Sequence, residues 1–134
     1  MTATRSSQPT VALKNALIAG ALGGFVAIII NVALYFLAQN VIGEPLIVEG
    51  EPLPFVAVLL SSFTPGLAAG AVYWALARYT QTPTRWFLIF AASLLVLSFF
   101  GPLTQASGVT LWILELMHLG AAVPIVGAIS KLRG

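Results

Sequence analysis

NALIAGALGGFVAIIINVALYFLAQNVIG, residues 15–43, carries no charged side chain. A helix needs about 20 consecutive apolar residues to cross the hydrocarbon core of a bilayer, and this run is long enough to do so with residues to spare. Lys14 stands immediately before it and Glu44 immediately after it. Three more apolar runs follow, so the sequence predicts helices over residues 11–38, 55–79, 86–104 and 109–130. The connections between them are short.

The charges between the runs set the orientation. Arg5 and Lys14 precede the first run, Arg78 and Arg85 bracket the turn between the second and third, and Lys131 and Arg133 follow the fourth. Glu44, Glu49 and Glu51 lie between the first and second runs. Lys and Arg accumulate on the cytoplasmic side of membrane helices, which predicts a topology with both termini cytoplasmic (N-in/C-in). The fold expected is an all-α, four-transmembrane-helix bundle. Its outer loop between helices 1 and 2 contains Gly43, Pro45, Gly50, Pro52 and Pro54 around Leu46-Ile47-Val48, a composition that predicts an extended or hairpin-like cap.

Composition allows little else. The chain is 59% apolar and 7% charged, against about a quarter charged in soluble domains. Residues 11–134 are expected to form a single four-helix membrane domain, with residues 1–10 a disordered cytoplasmic tail. The first run is too long for the apolar region of a cleaved export signal and is expected to persist as a helix. The net charge of +2 is carried at helix ends without a continuous basic stripe, which argues against nucleic acid as a partner. There is no cysteine, so thiolate chemistry and cysteine-ligated metals are excluded.

Small residues define the packing faces. Ala16, Gly20, Gly23, Ala27 and Asn31 recur at spacings of three and four and share one side of helix 1. Ser62, Gly66 and Gly70 do the same on helix 2. Close backbone approach across such faces is how helices associate in lipid. Pro65 removes a helical hydrogen bond within the second run, and Gly101-Pro102 predicts a kinked continuation of the third or a break followed by a re-entrant segment. Tyr73, Trp74, Tyr79 and Trp86 beside Arg78 and Arg85 read as an inner aromatic belt. A faint likeness between residues 67–78 and 120–131 leaves open a duplication of two helical hairpins.

Asn31, Tyr35, Ser61, Ser62, Thr64, Ser98, Glu115 and His118 all fall in the outer half of the expected spans. Of these, His118, Glu115, Asn31, Ser62, Thr64 and Ser98 are the candidate ligand-binding residues. Ionisable groups inside a membrane are costly and mark functional sites by default. Glu115 and His118 are three apart on one helical face, so they could serve an outward-facing pocket for an ion, a proton or a small polar ligand, or simply satisfy each other. The alternative function is a non-catalytic accessory subunit of a larger membrane complex, with His118 as an axial ligand to haem or a chlorophyll-type pigment. No nucleophile motif, phosphate-binding glycine loop or HExxH appears, so an enzyme is not expected. A chain this short buries little by itself, and a homo-oligomer or larger complex is expected.

Leu97-Ser98-Phe99-Phe100-Gly101-Pro102-Leu103, followed by Leu116-Met117-His118-Leu119 and the small-residue run to Pro124, resembles a family of uncharacterised small bacterial four-span membrane proteins, classed as a domain of unknown function. The resemblance implies a multi-pass protein of the bacterial inner membrane, with an extended outer loop after the first helix and a histidine in the last. It implies no activity or cofactor. Glu115 is not part of the pattern, so the resemblance points to His118 rather than to the acid–histidine pair.

Overall fold

Three residues of positive φ and two short strands shape the first connection, and the helices on either side of it carry most of the packing. In the computed structural model, which describes residues 11–132, α1 spans Leu13–Phe36, α2 Phe55–Tyr79, α3 Pro83–Ser98, α4 Phe100–Gln105 and α5 Gly108–Ser130. The predicted tail 1–10, with Arg5, and Arg133 at the other end lie outside the described residues. Four helical stretches are long and apolar enough to cross a membrane: Leu13–Ile42, Phe55–Tyr79, Pro83–Gln105 and Gly108–Ser130. The chain is therefore an all-helical bundle apart from one small hairpin, and its composition is that of a multi-pass membrane protein.

α1 is the centre of the bundle and makes its largest interfaces with α2 and α5. The small-residue faces explain why. A methyl group placed on Gly20 would run into the carbonyl oxygen of Gly66, one on Gly66 into that of Gly20, and one on Gly70 into that of Ala16. On the other flank, a Cβ at Gly23 would lie 2.6 Å from Ile125 Cα. Contact is thus backbone to backbone on both sides of α1, the arrangement that dispersion favours where lipid is as apolar as the helix. α3 packs more sparingly on α2 and α5, so the four spans are not equivalent and the packing does not repeat as two matching hairpins.

Helix α1 does not end at Ala38. It widens into a π-helical turn, Leu37–Ile42, closed by Gly43 at φ 78°, a left-handed position that glycine tolerates without penalty. Ile47–Val48 (β1) then pairs antiparallel with Glu51–Pro52 (β2) across a two-residue turn. Both turn residues have positive φ, Glu49 at 52° and Gly50 at 84°, the backbone form whose twist matches a hairpin. Leu46 is buried from this loop against Tyr35, Val58, Ile113 and Met117, while Glu49 N–H donates to Gln105 O at 3.0 Å. The hairpin is therefore a cap seated on one end of the bundle.

The third span continues past the Gly101-Pro102 pair. Phe99 keeps helical dihedrals (φ −66°, ψ −23°) between α3 and α4, so the break is a kink of the kind a helical proline causes.

At the end opposite the hairpin, one expectation fails. Tyr73 is not part of an exposed aromatic belt. It is fully buried, meets Phe87 edge to face at 5.5 Å and donates its hydroxyl proton to Leu132 O at 2.8 Å. With that proton committed, Thr84 Oγ1 at 3.0 Å is the donor to the tyrosine oxygen. A phenol that can satisfy its polar tip inside the bundle gains the burial of its ring as well. Tyr79 and Trp86 do stay exposed, and Arg78 lies over the Trp74 ring at 5.0 Å.

Candidate functional site

Asn31 and Ser62 are the predicted site residues buried deeply enough to require a reason for their polarity. Asn31 is 4% exposed, at the α1 face that meets α2 and α5. Ser62 Oγ, fully buried, donates to Val58 O at 2.6 Å, so its single proton is used and its lone pairs are free. The Asn31 group facing it at 2.9 Å must then be the amide nitrogen, which donates. That leaves the amide oxygen, Oδ1, turned towards Gly120 with no hydrogen-bond partner. Gly120 is what admits it, since a Cβ there would lie 2.7 Å from Oδ1.

His118 faces the same space. Its Nδ1 lies 2.7 Å from Leu114 O, and because a carbonyl oxygen only accepts, Nδ1 carries the proton. In the neutral ring Nε2 is then an acceptor. Asn31, Ser61 and His118 line one cavity of about 140 Å³, with Leu53 from the hairpin connection and Met117 among its apolar walls. By helix rise, Ser62, Ser98, His118 and Asn31 lie roughly 10–16 Å below the helix ends that carry the hairpin.

The three prolines inside the spans add to this acceptor character. Each lacks the N–H that would bond the carbonyl four residues earlier. Pro65, Pro102 and Pro124 withdraw that helical donor from Ser61, Ser98 and Gly120 respectively, and all three of these residues border His118 or Asn31. A hydrogen-bond acceptor left unsatisfied in an apolar interior costs about 1–3 kcal/mol, so a site rich in acceptors favours a ligand that brings donors.

The remaining candidates divide. Ser98 joins Ser61 and His118 around a second, larger cavity and donates to Leu95 O at 2.7 Å. Thr64 is exposed, donates to Leu60 O at 2.8 Å and borders neither cavity. Glu115 is half-buried and borders neither cavity, and its Oε1 has no partner. Among the described residues no hydrogen bond joins Glu115 to His118: the imidazole is already held by the carbonyl one turn back. The structure thus brings Asn31 and His118 to one cavity, ties Ser62 to it only through its hydrogen bond with Asn31, sets Ser98 with His118 on the other cavity, and leaves Thr64 and Glu115 on neither. Sequence reading passed over Leu53 and Gly120, although the four-residue offset from Pro124 back to the Gly120 carbonyl was a usable signal. Among the described residues no group of three or more His, Asp or Glu side chains is placed to hold a metal ion.

A family model described as a family of unknown function (DUF6069) matches residues 11–133. No curated protein and no solved structure matches the chain.

Proposed function

The chain belongs to that family of unknown function, and we propose that it is a membrane module that binds a small hydrogen-bond donor in the pocket between Asn31 and His118. The ligand class is a proton, a protonated amine or a hydroxyl group. The observation that carries this reading is the shared pocket itself: Asn31 and His118 line it together, and the imidazole, its Nδ1 proton already committed, has an acceptor nitrogen in its neutral form. A pocket of about 140 Å³ has room for a few water-sized groups, at about 30 Å³ for each water. Binding rather than catalysis is the proposed role. Among the described residues the Ser61 and Ser62 hydroxyls both donate to Val58 O, and neither is hydrogen-bonded to the imidazole.

The positive-inside rule supports an orientation with Lys14, Arg78, Arg85 and Lys131 cytoplasmic and the hairpin, with Glu44, Glu49 and Glu51, on the opposite side. The hairpin would then stand between the pocket and the exterior, and the ligand would be taken from that side in the cytoplasmic membrane of a bacterium. Whether the module acts as a homo-oligomer or within a larger complex is read from co-purification out of native membranes.

The test is methylammonium binding and proton uptake by purified protein, wild type against Asn31→Leu, His118→Ala and Glu115→Gln. Loss of one charge-assisted hydrogen bond weakens binding by about tenfold, or 1.4 kcal/mol. Asn31→Leu and His118→Ala are expected to show at least that loss, and Glu115→Gln to stay near wild type. Folded variants that bind as the wild type does would sink the proposal.

A second reading rests on His118 alone. A ligating imidazole has one nitrogen anchored by a hydrogen bond and the other free, which is the state of this ring. In an accessory subunit its Nε2 could hold the metal of a haem or chlorophyll-type pigment, with the second axial position supplied by another copy. Protein purified from its own membranes would then show visible absorbance that His118→Ala abolishes.

A further inference from the structure

The polar pocket is the smaller of two spaces that meet at Ser61, His118 and Ala121. The larger, of about 470 Å³, lies between α2, α3 and α5. Its walls are mostly alanines, leucines, valines and phenylalanines, and among the described residues its polar side chains are Ser61 and His118, which it shares with the polar pocket, and Ser98. Phe90 and Leu94 of α3 line it while remaining 43% and 50% exposed, so it opens along the length of the span, where the surroundings are lipid. Small-molecule sites occupy roughly 300–1,000 Å³ and are mostly apolar with a few converging polar groups, and this space meets that description.

We infer that the ligand is an amphiphile with one hydroxyl at the end of an apolar body, entering from the bilayer beside α3, its hydroxyl donating to His118 and its body filling the α2–α3–α5 cavity. The inference rests on the donor-binding reading of the polar pocket and adds the class of molecule.

Three observations select this occupant. The head must donate, because His118, which lines both spaces, has its Nδ1 proton committed to Leu114 O and its Nε2 is an acceptor in the neutral ring. The head must be uncharged or cationic and small. Among the described residues no Lys or Arg lines either cavity, so a phosphate would enter a set of acceptors with nothing to neutralise it. Finally, the body must be a single small molecule. A transmembrane helix, about 10 Å across with its side chains and about 30 Å long, is several times larger than the space of about 470 Å³ between α2, α3 and α5.

The hydroxyl could belong to an aliphatic alcohol or to a phenol, and the test separates them. The whole protein in nanodiscs, labelled with ¹⁵N at its single histidine, is titrated with dodecanol, para-octylphenol and the methyl ether of each. Binding is read from the ring nitrogen shifts of His118. At least one hydroxyl compound is expected to bind, and its methyl ether to bind about tenfold more weakly, because the ether cannot donate. Whichever hydroxyl compound binds more tightly identifies the source. Ala122→Phe, which fills the apolar cavity from α5, is expected to abolish this binding and to leave methylammonium binding unchanged. Ala91→Phe fills the same cavity from the sparsely packed α3 and repeats the test should Ala122→Phe not fold.

Equal affinity of alcohol and ether, or binding undisturbed in a folded cavity-filling variant, would overturn the inference. If methylammonium still binds the wild type in that case, the amphiphile alone is rejected. If neither binds, the donor-binding reading falls with it.

Discussion

Replacing Gly20 by alanine should destabilise the protein, whereas the same change at Gly127 should stabilise it. Both lie inside long helices, where alanine is favoured over glycine by about 0.5–1 kcal/mol because it has less backbone freedom to lose. At Gly127 nothing lies within 4 Å of the added Cβ, so that gain is kept. At Gly20 the methyl group meets the carbonyl oxygen of Gly66, a backbone atom that cannot rotate away. Relief requires α1 and α2 to separate, and their contact is the largest in the bundle. Overpacking of this kind costs about 1–3 kcal/mol, and because the helical gain is common to both variants the gap between them is also about 1–3 kcal/mol. The assay is reversible unfolding in mixed micelles by titration with dodecyl sulfate, followed by tryptophan fluorescence. Gly66→Ala should behave as Gly20→Ala, since the clash is reciprocal. If Gly20→Ala and Gly127→Ala shift the midpoint alike, the backbone contact between α1 and α2 does not exist as described.

Ser62→Ala removes the acceptor of the Asn31 amide inside the bundle and should cost about 1–3 kcal/mol, whereas Thr64→Ala, on the exposed side, should stay within about 0.5 kcal/mol of wild type in the same assay. Leu46→Ala empties a fully buried site under the hairpin and should cost about 2–5 kcal/mol, with faster amide exchange over residues 44–53 as its local signature. Tyr73→Phe strands the Leu132 carbonyl and the Thr84 hydroxyl at the other end and should cost about 1–3 kcal/mol without altering ligand binding. Because the chain has no cysteine, single cysteines at Glu49 and Gln81 can be labelled from either side of sealed vesicles. They should react from opposite sides, and labelling from the same side would contradict the proposed orientation.

The helical architecture was legible because its causes are local. An uncharged stretch such as residues 15–43 has one stable form in a bilayer, where every backbone group must be satisfied within its own segment. The small-residue stripe ending at Asn31 was legible for a similar reason, since its spacing places it on one face whatever the neighbours are. Tyr73 was misread because the sequence gives its distance from Arg78 but not which way its face turns, and the decision lay with Leu132, far along the chain. Glu115 and His118 illustrate the same limit. Their spacing permits a pair, yet the Leu114 carbonyl captures the imidazole first. The acceptor-rich pocket depends on Gly120 admitting Asn31 Oδ1 between two helices, a contact that no single segment encodes.

The site is tested most directly by the ¹⁵N spectrum of the histidine ring, which reports on one residue because the chain has one histidine. With the ring neutral and no ligand added, Nδ1 should be protonated and Nε2 bare, and Asn31→Leu should shift Nε2 while leaving Nδ1 in place. A ring protonated at Nε2 and bare at Nδ1 would mean that the imidazole offers a donor to the pocket, and the account of what this site binds would be wrong.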